Sequence, residues 1–473
     1  MSTHTVPKRT MGFVTATAML IGTVIGASVF IVPGALAASA GPAVWLTYLI
    51  GAILILFAAV MFAQIGSVMP VTAANYRLTA STVNGTWGFL YIWVFGIANI
   101  FLVPIMALTA AEYLGVFHPS LNSMPVAVGL VVITGLVNIL GLRAAMSIQN
   151  ILVAVLILII AVFATGGLAN ADWSHFTPMF PIGVGPVIAA AVSTYYAFAG
   201  MNVVIELSGE MKNPGRNAIR MIMVGLVTIT VLYLGVAVAA VAAVALVQPS
   251  ELGVEAPIVY AASMVFPDWF GGVVALGAVA ACWTTLNAVM AALGRQLFGL
   301  SRSRILPQAL SKLNKAGTPY IAMVSLTLVG ILITIFSEDV MKFVNLSGTY
   351  LLLTSITIAV SSLRIQKTLP EMYNRADFKL RGFWYYFWPI GAIVTSIFFL
   401  VLAIMDDPQM SLLSFILIPL GLGIYVWRAS IVKRTGTSVE ELLKVAISEE
   451  GATAETSEDA IVKVQLKETE FRK

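Results

Sequence analysis

The stretch GTVIGASVF, residues 22–30, lies in the middle of an apolar segment that covers about residues 11–39. A segment of that length can cross a bilayer as a helix, which takes roughly 20 residues. Glycine and serine weaken a helix, and inside a membrane every backbone polar group needs a partner within the protein. The stretch therefore raises the question of why a membrane helix has its weak point near the centre.

The composition indicates an integral membrane protein. Of the 473 residues, 59% are hydrophobic and only 10% are charged, whereas soluble domains are about 25% charged. The short basic segment MSTHTVPKRT leads directly into the first apolar segment, which predicts a cytoplasmic start and a spanning helix rather than a cleaved signal peptide. The single cysteine, Cys282, excludes an intrachain disulfide.

We predict an all-α membrane protein with twelve transmembrane helices. The predicted spans cover about residues 11–39, 43–68, 87–115, 124–142, 147–168, 185–211, 218–247, 269–299, 319–336, 340–364, 384–405 and 410–429. With the N-terminus inside, every Lys and Arg except Lys342 falls on the inner side of the membrane. This positive-inside pattern predicts cytoplasmic N- and C-termini, and we expect the protein in the plasma membrane.

Two interpretations of the weak point in residues 22–30 compete. Gly22 and Gly26 form a GxxxG pattern, which allows two membrane helices to approach closely. Alternatively, the helix is broken there, and unwound backbone at membrane depth is tolerated only where it lines a cavity or is buried in protein. Broken helix ends offer N–H groups to an anion and carbonyls to a cation, so that a break could bind a zwitterion such as an amino acid.

A second weak point occupies the corresponding place in the second half of the chain. The sixth predicted span contains STYYAFAGMNVVIELSGEMKNPGR, residues 193–216, with Gly200 near its centre. Transporters built from inverted repeats carry interrupted helices at matching positions. We therefore predict a 5+5 inverted repeat with helices 1 and 6 interrupted and two helices appended. The predicted divisions are a cytoplasmic N-terminus (1–10), a first five-helix repeat (11–168), a second repeat (185–366), helices 11 and 12 (384–430) and a cytoplasmic tail (431–473).

Several segments, taken in order along the chain, resemble one transporter superfamily. They are GTVIGASVFIVPGAL (22–36), FAQIGSVMPVTAANYRL (62–78), NILGLRAAMSIQN (138–150), GEMKNPGRNAIR (209–220) and GRQLFGLSRSRILPQALSKLNKAGTP (294–319). With these segments the chain resembles the amino acid–polyamine–organocation (APC) superfamily. The resemblance implies the leucine-transporter-type fold, alternating access, and a substrate held near the bilayer midplane between helices 1 and 6.

The resemblance also implies substrate-binding residues on the two interrupted helices. These are Thr23, Val24, Gly26, Ala27, Ser28, Tyr196, Phe198, Ala199, Gly200, Met201 and Asn202. By position, the substrate carboxylate would meet the N–H groups of Gly26, Ala27 and Ser28, and its ammonium would meet carbonyls of both helices. Tyr196 would be an aromatic gate over the substrate. Phe198 and Met201 would shape the pocket for the substrate side chain.

Three positions depart from the pattern of the superfamily. Ser28 stands where a glycine is common, and it would project a hydroxyl into the site. Asn202 stands where some members carry a glutamate, and since it cannot titrate, their proton-linked mechanism does not transfer. Leu156 stands where other members carry a lysine in place of a sodium ion, so that this substitute for a cation is missing.

Two groups are candidates for binding a coupling ion. Glu206 is the only acidic residue well inside a predicted span, and a buried carboxylate could take up a proton; the alternative is an ion pair with an inner basic residue such as Arg295. Thr284 and Thr285 could join first-helix carbonyls around a sodium ion, because hard cations take oxygen ligands. The alternative for these threonines is a hydrogen bond to the preceding helical turn. We expect Asn138 and Gln149 to cap or bridge helix ends, and Asn287 to pack against or cross-link helices.

We predict a secondary active transporter, either a permease or an exchanger, that moves amino acids by alternating access. Neutral substrates are favoured because no carboxylate is expected opposite the substrate side chain. The alternatives are a cationic amino acid or polyamine antiporter, a transporter-like nutrient sensor, and a channel.

The chain has three histidines, all outside the predicted spans, and no glycine-rich phosphate loop, which argues against an enzyme. We expect no cofactor and no nucleic acid; the expected partners are an amino acid or amine, a coupling proton or sodium ion, and the lipid bilayer.

Overall fold

The structure is a computed structural model, and it describes most of the chain between residues 11 and 434. The described residues are 11–26, 28–30, 36, 40–71, 74–118, 120–181, 183–198, 200–243, 257–302, 305–337, 340–406 and 408–434. The predicted N-terminal segment 1–10 and the tail beyond residue 434 lie outside them, as do Ala27 and Ala199 and the side chains of Tyr196 and Glu206.

The described chain is helical, and its β-type pairing consists of two isolated bridges. The α-helices are α1 (Phe13–Ile25), α2 (Val44–Val68), α3 (Ala74–Thr82), α4 (Gly85–Gly115), α5 (Ser123–Leu140), α6 (Leu142–Ala169), α7 (Val184–Ala197), α8 (Val203–Leu207), α9 (Pro214–Ala243), α10 (Pro257–Val265), α11 (Trp269–Arg302), α12 (Tyr320–Ile335), α13 (Val340–Thr368), α14 (Pro370–Arg375), α15 (Phe383–Asp406) and α16 (Pro408–Arg434). Short 3-10 turns cover Gly41–Ala43, Trp173–Phe176, Ser208–Glu210 and Gln308–Ser311.

Eight of the described helical segments are long and apolar enough to cross a membrane. They are Gly41–Val68, Gly85–Gly115, Ser123–Leu140, Ser147–Ala169, Pro214–Ala243, Trp269–Arg302, Leu346–Thr368 and Phe383–Met405. Three shorter apolar helices cover Phe13–Ile25, Tyr320–Ile335 and Phe415–Ile431. The all-helical membrane character predicted from composition is thus confirmed, whereas the count of twelve spans stays a prediction.

Helix boundaries follow local capping chemistry. The Asn84 side chain accepts a hydrogen bond of 2.8 Å from the backbone N–H of Trp87 at the start of α4, and Asn122 caps α5 in the same manner. Gly141 separates α5 from α6 with a φ of +120°, a conformation that favours glycine. The NILG sequence therefore ends one long apolar helix and allows the chain to reverse into the next.

The helices differ in how deeply they lie within the protein. In α11, 83% of the most apolar window is buried, compared with 22% in α15. A helix that is apolar all round belongs in the interior, whereas one that keeps an exposed apolar face suits contact with lipid. Helix α11 therefore lies near the centre, where it contacts α1, α4 and α6.

The first and sixth predicted spans are not continuous helices. Within the first predicted span, helix α1 ends at Ile25. The sixth predicted span is divided into α7 and the short α8. The N-terminal end of α1 lies beside the segment after α8, because the Lys212 N–H donates to the Met11 carbonyl at 2.8 Å. This pairing, together with the contacts between α1 and α8, keeps the two interrupted segments adjacent.

Candidate functional site

The first interruption is at Gly26, directly after α1. Its φ of +42° and ψ of −144° lie in a region that residues with a side chain rarely adopt. A Cβ atom at this position would also come within 2.7 Å of the Thr285 Oγ1 atom. Gly26 is therefore required both by its backbone conformation and by the close approach of α11.

Gly22, one turn earlier, meets neighbouring helices at close range. A Cβ atom there would come within 2.5 Å of Gln149 Nε2 and 2.6 Å of Val153 Cγ2, both on α6. The two interpretations of the GTVIGASVF stretch thus apply to different residues. Gly22 allows close helix packing, and Gly26 marks the interruption.

The second interruption lies between α7 and α8. Gly200 has a φ of +99°, and a Cβ atom there would lie 3.1 Å from Thr23 Cγ2 and 3.5 Å from the Thr23 carbonyl oxygen. The interruptions at Gly26 and Gly200 therefore face each other across a short distance, although about 170 residues of chain separate them.

The carbonyl groups at the end of α1 are satisfied by side chains from α11. The last four carbonyls of a helix have no donor within the helix. The Thr285 hydroxyl lies 2.9 Å from the Gly22 carbonyl oxygen and 3.1 Å from that of Thr23. The Thr284 hydroxyl lies 3.2 Å from the Gly22 oxygen and 2.8 Å from the Ala281 oxygen of its own helix. Thr284 therefore makes the back-bond to its own helix, and both hydroxyls also approach carbonyl groups of the first helix.

The other two carbonyls at the end of α1, those of Val24 and Ile25, lie within hydrogen-bonding distance of the Tyr233 hydroxyl on α9. This hydroxyl lies 3.0 Å from the Val24 oxygen, 3.4 Å from the Ile25 oxygen and 2.9 Å from the Ala197 oxygen at the end of α7. One phenol therefore connects the ends of both interrupted helices. Because a phenol has a single proton to donate, these carbonyls keep spare capacity to accept hydrogen bonds.

A cavity opens between the two interruptions. It is lined by Thr23, Val24, Gly26, Ser28, Phe95, Asn99, Leu102, Met106, Gly200, Asn202, Val203, Thr285, Ala288, Val289, Ala292 and Leu351. None of these residues is charged. Their polar side chains are those of Thr23, Ser28, Asn99, Asn202 and Thr285. The wall therefore offers amide and hydroxyl groups and helix ends within an otherwise apolar surface.

Six of the residues implied by the resemblance line this cavity: Thr23, Val24, Gly26, Ser28, Gly200 and Asn202. Phe198 and Met201 are buried but are not among the lining residues; the ring of Phe198 lies 5.2 Å from that of Tyr233, measured between centroids. Ala27, Ala199 and the side chains of Tyr196 and Glu206 lie outside the described residues.

Sequence reasoning missed one wall of the cavity. Phe95, Asn99, Leu102 and Met106 on α4 all line it. Their spacing of four, three and four residues places them on one helical face. That periodicity was available in the sequence, but an apolar stripe on a membrane helix is common, and only the tertiary structure shows what it faces. Tyr233 was missed as well, since no local motif marks it.

Comparison with known proteins gives the family. The family model described as "Amino acid permease" matches residues 11–426. The chain belongs to the amino acid permease family. This permease is accordingly a multi-pass membrane transporter of the APC superfamily and not an enzyme.

Relatives with assigned names differ in their substrates. The branched-chain amino acid permease BcaP of Bacillus subtilis is 27% identical, over 78% of this chain and 83% of its own. The serine/threonine exchanger SteT of the same organism is 27% identical, over 88% of this chain and 96% of its own. The cationic amino acid transporter 1 of Arabidopsis thaliana is 25% identical, over 67% of this chain and 56% of its own. These likenesses support amino acids as the substrate class of this permease.

Proposed function

We propose that this permease is a secondary active transporter that moves neutral amino acids across the plasma membrane by alternating access. The observation that carries the proposal is the cavity between Gly26 and Gly200, where two interrupted helices meet and no described lining residue is charged. Such a cavity suits a small zwitterion whose own charges are matched by helix ends.

The carboxylate of the substrate would bind at the first interruption. The chain leaves α1 at Ile25 and resumes helical conformation at Ser28, so that the Gly26 N–H lies between two helical segments and the Ser28 N–H lies at the start of the second. Backbone N–H groups in that arrangement attract anions. The hydroxyl of Ser28 adds a further donor that a glycine would lack.

The ammonium group of the substrate would bind the carbonyls near Tyr233. The Val24 and Ala197 oxygens share one phenol proton, and their free lone pairs can accept from an ammonium. The same carbonyls lie at the C-terminal ends of α1 and α7, where the helix dipole favours positive charge. Both charges of an amino acid then have a partner at the interruptions.

The side chain of the substrate would face the α4 stripe. Phe95, Leu102 and Met106 supply apolar surface there, and Asn99 supplies one amide. An additional positive charge on the substrate side chain would meet no described carboxylate, and an unpaired buried charge is costly. The wall therefore favours neutral over dibasic amino acids.

The finer predictions from the sequence belong to the same proposal. We propose twelve spans, arranged as repeats over 11–168 and 185–366 with 384–430 appended, and both termini on the cytoplasmic side. Tyr196 would close over the bound substrate as a gate, and Glu206 is the candidate for proton coupling. The Thr284–Thr285 pair, which the sequence offered as a candidate for sodium binding, is instead proposed to hold the carbonyl groups at the end of α1.

Uptake into liposomes that contain only the purified protein tests the proposal. Labelled leucine, serine, lysine and putrescine would each be offered with and without the unlabelled compound inside. We expect saturable uptake of leucine or serine that exceeds uptake of lysine and putrescine. A preference for lysine or putrescine would favour the cationic antiporter, and flux that does not saturate would favour a channel. An intact protein that binds amino acids without moving any of them would favour the nutrient sensor.

A further inference from the structure

Three buried amide side chains form a hydrogen-bonded chain that ends at α1. Asn138 on α5 donates from Nδ2 to the Asn287 Oδ1 atom on α11 at 2.8 Å. Asn287 donates from Nδ2 to the Gln149 Oε1 atom on α6 at 3.0 Å. Gln149 and Asn287 are fully buried, and Asn138 is 5% exposed. The chain thus connects three helices within the apolar interior.

The direction of this chain is determined at its Asn138 end. Asn138 Nδ2 also donates to the Thr134 carbonyl at 3.0 Å, and a carbonyl can only accept. Reversing the Asn138 amide would place its Oδ1 atom against the Thr134 carbonyl oxygen, and neither of these oxygens has a proton to donate. The Asn138 nitrogen must therefore face both Thr134 and Asn287. Asn287 must then accept from Asn138 and donate to Gln149, which leaves the Gln149 nitrogen at the far end.

The far end of the chain is an unpaired donor aimed at the last turn of α1. The Gln149 Nε2 atom is buried and has no hydrogen-bond acceptor among the described residues. It lies 2.5 Å from the position that a Cβ atom at Gly22 would take, and the Thr284 Cβ atom lies 3.2 Å from the same point. The donor therefore shares the cleft between α1, α6 and α11 with the oxygens proposed for a sodium site.

These surroundings do not fit a bound cation. The oxygens of Gly22, Thr23, Thr284 and Thr285 are present, but both hydroxyls lie within hydrogen-bonding distance of carbonyls. The amide hydrogens of Gln149 carry positive partial charge and would face the ion. The C-terminal end of α1 carries negative partial charge, and the amide already supplies the positive counterpart that a cation would otherwise give.

We infer that the Gln149 amide takes the place of a coupling cation in the cleft between α1, α6 and α11, so that transport by this permease does not require sodium. Gln149 is thus a positioning residue, which stabilises the last turn of α1 through the dipole of a neutral group. The inference rests on the proposed function only for its statement about transport, because the absence of sodium binding can be measured on the protein alone.

The experiment compares the purified wild-type protein with Gln149→Glu, and with Gln296→Glu as a control. Gln296, on α11, is another buried glutamine whose Nε2 has no acceptor among the described residues. Melting temperature in detergent and uptake of leucine or serine into liposomes are measured with sodium chloride or with N-methyl-D-glucamine chloride at equal ionic strength. Both sets are repeated at pH 5.5 and 7.5.

For the wild type we expect the same melting temperature and the same uptake in the two salts. Gln149→Glu replaces the donor by a carboxylate oxygen beside the other four oxygens. We expect this variant to melt higher in sodium, as for any ligand that binds only the folded state, and its uptake to rise about five-fold or more with sodium or at acid pH. We expect Gln296→Glu to gain no stimulation of uptake by sodium.

Two results would overturn the inference. One is a wild-type protein that melts higher in sodium or loses about five-fold of its uptake without it. The other is a folded Gln149→Glu protein whose melting and uptake ignore both sodium and protons. If the variant fails to fold, a wild-type protein that melts higher in sodium still overturns the inference. A wild-type protein that transports no amino acid, yet melts identically in both salts, would contradict the proposed function and leave the inference about sodium binding supported.

Discussion

The two interrupted helices reach the same cavity by different means. At the first interruption, the carbonyls at the end of α1 accept hydrogen bonds from Thr284, Thr285 and Tyr233, which lie on two other helices. At the second, the chain is held mainly by its own backbone. Val203 N–H donates to the Gly200 oxygen at 2.9 Å and Ile205 N–H to the Asn202 oxygen at 3.0 Å, both across tight turns.

This difference indicates that the first interruption depends on tertiary contacts and the second on local conformation. Buried carbonyls need partners wherever these come from, and α1 obtains them from residues more than 200 positions away in sequence. Distant substitutions should therefore disturb the first interruption much more than the second. Among the described side chains, Tyr233 hydrogen-bonds to the C-terminal ends of both α1 and α7.

Substitution of the two glycines should give the largest effects. Gly26→Ala combines an unfavourable backbone conformation, about 1–3 kcal/mol, with a Cβ atom 2.7 Å from Thr285 Oγ1. A displaced binding site can lose on the order of 100-fold in rate, and we expect that loss in liposome uptake. Gly200→Ala should lose less, because its nearest neighbour is a methyl group at 3.1 Å. Gly96→Ala, which has no neighbour within 4 Å, is the control; equal losses in all three would contradict the comparison.

The close approach of α6 to α1 should make Gly22 the next most sensitive position. Gly22→Ala would force Gln149 and Val153 away from α1, and overpacking of this kind costs about 1–3 kcal/mol. Thermal unfolding in detergent measures the loss. Gly129→Ala on α5 meets nothing within 4 Å and should leave the melting temperature unchanged. A Gly22→Ala protein as stable as Gly129→Ala would mean that the contact with α6 is readily relaxed.

Removal of the shared hydroxyl should destabilise both interruptions together. Tyr233→Phe leaves the Val24 and Ala197 carbonyls without this donor, which should cost about 1–3 kcal/mol in the free energy of unfolding. Tyr48 provides a matched control, since its ring packs on Tyr233 and its buried hydroxyl has no acceptor among the described residues. Tyr48→Phe should therefore be nearly neutral; a larger loss for Tyr48→Phe than for Tyr233→Phe would refute the role of Tyr233.

The two threonines of α11 should differ by the smallest margin. Thr285 is hydrogen-bonded to two carbonyls of α1, whereas the shorter hydrogen bond of Thr284 goes to Ala281 in its own helix. We expect Thr285→Val to cost about 1–2 kcal/mol and Thr284→Val about half of that, measured by thermal unfolding. The reverse order would show that the Gly22 carbonyl depends chiefly on Thr284.

Part of the candidate site could be predicted from local sequence. Gly26 and Gly200 stood out because they lie near the centres of the first helices of the two predicted repeats, and both carry a positive φ in the structure. The α4 stripe could not be identified, since Phe95 and Met106 look like ordinary membrane residues until their neighbours are known. Asn138 and Gln149 were expected to cap or bridge helix ends and Asn287 to pack against or cross-link helices, but the order and direction of their hydrogen bonds were not predictable.

The membrane environment, the helical class and the two places where helices are interrupted could all be predicted from the amino-acid sequence. These follow from composition and from the backbone preferences of single residues, which act over a few positions. Which side chains hydrogen-bond to the ends of the interrupted helices depends on the packing of the folded chain. Tyr233 reaches two helix ends, and Gln149 reaches Gly22, because helix packing brings distant segments to within a few ångströms. The identity of a hydrogen-bond partner depends on that packing, and no local pattern in the chain encodes it.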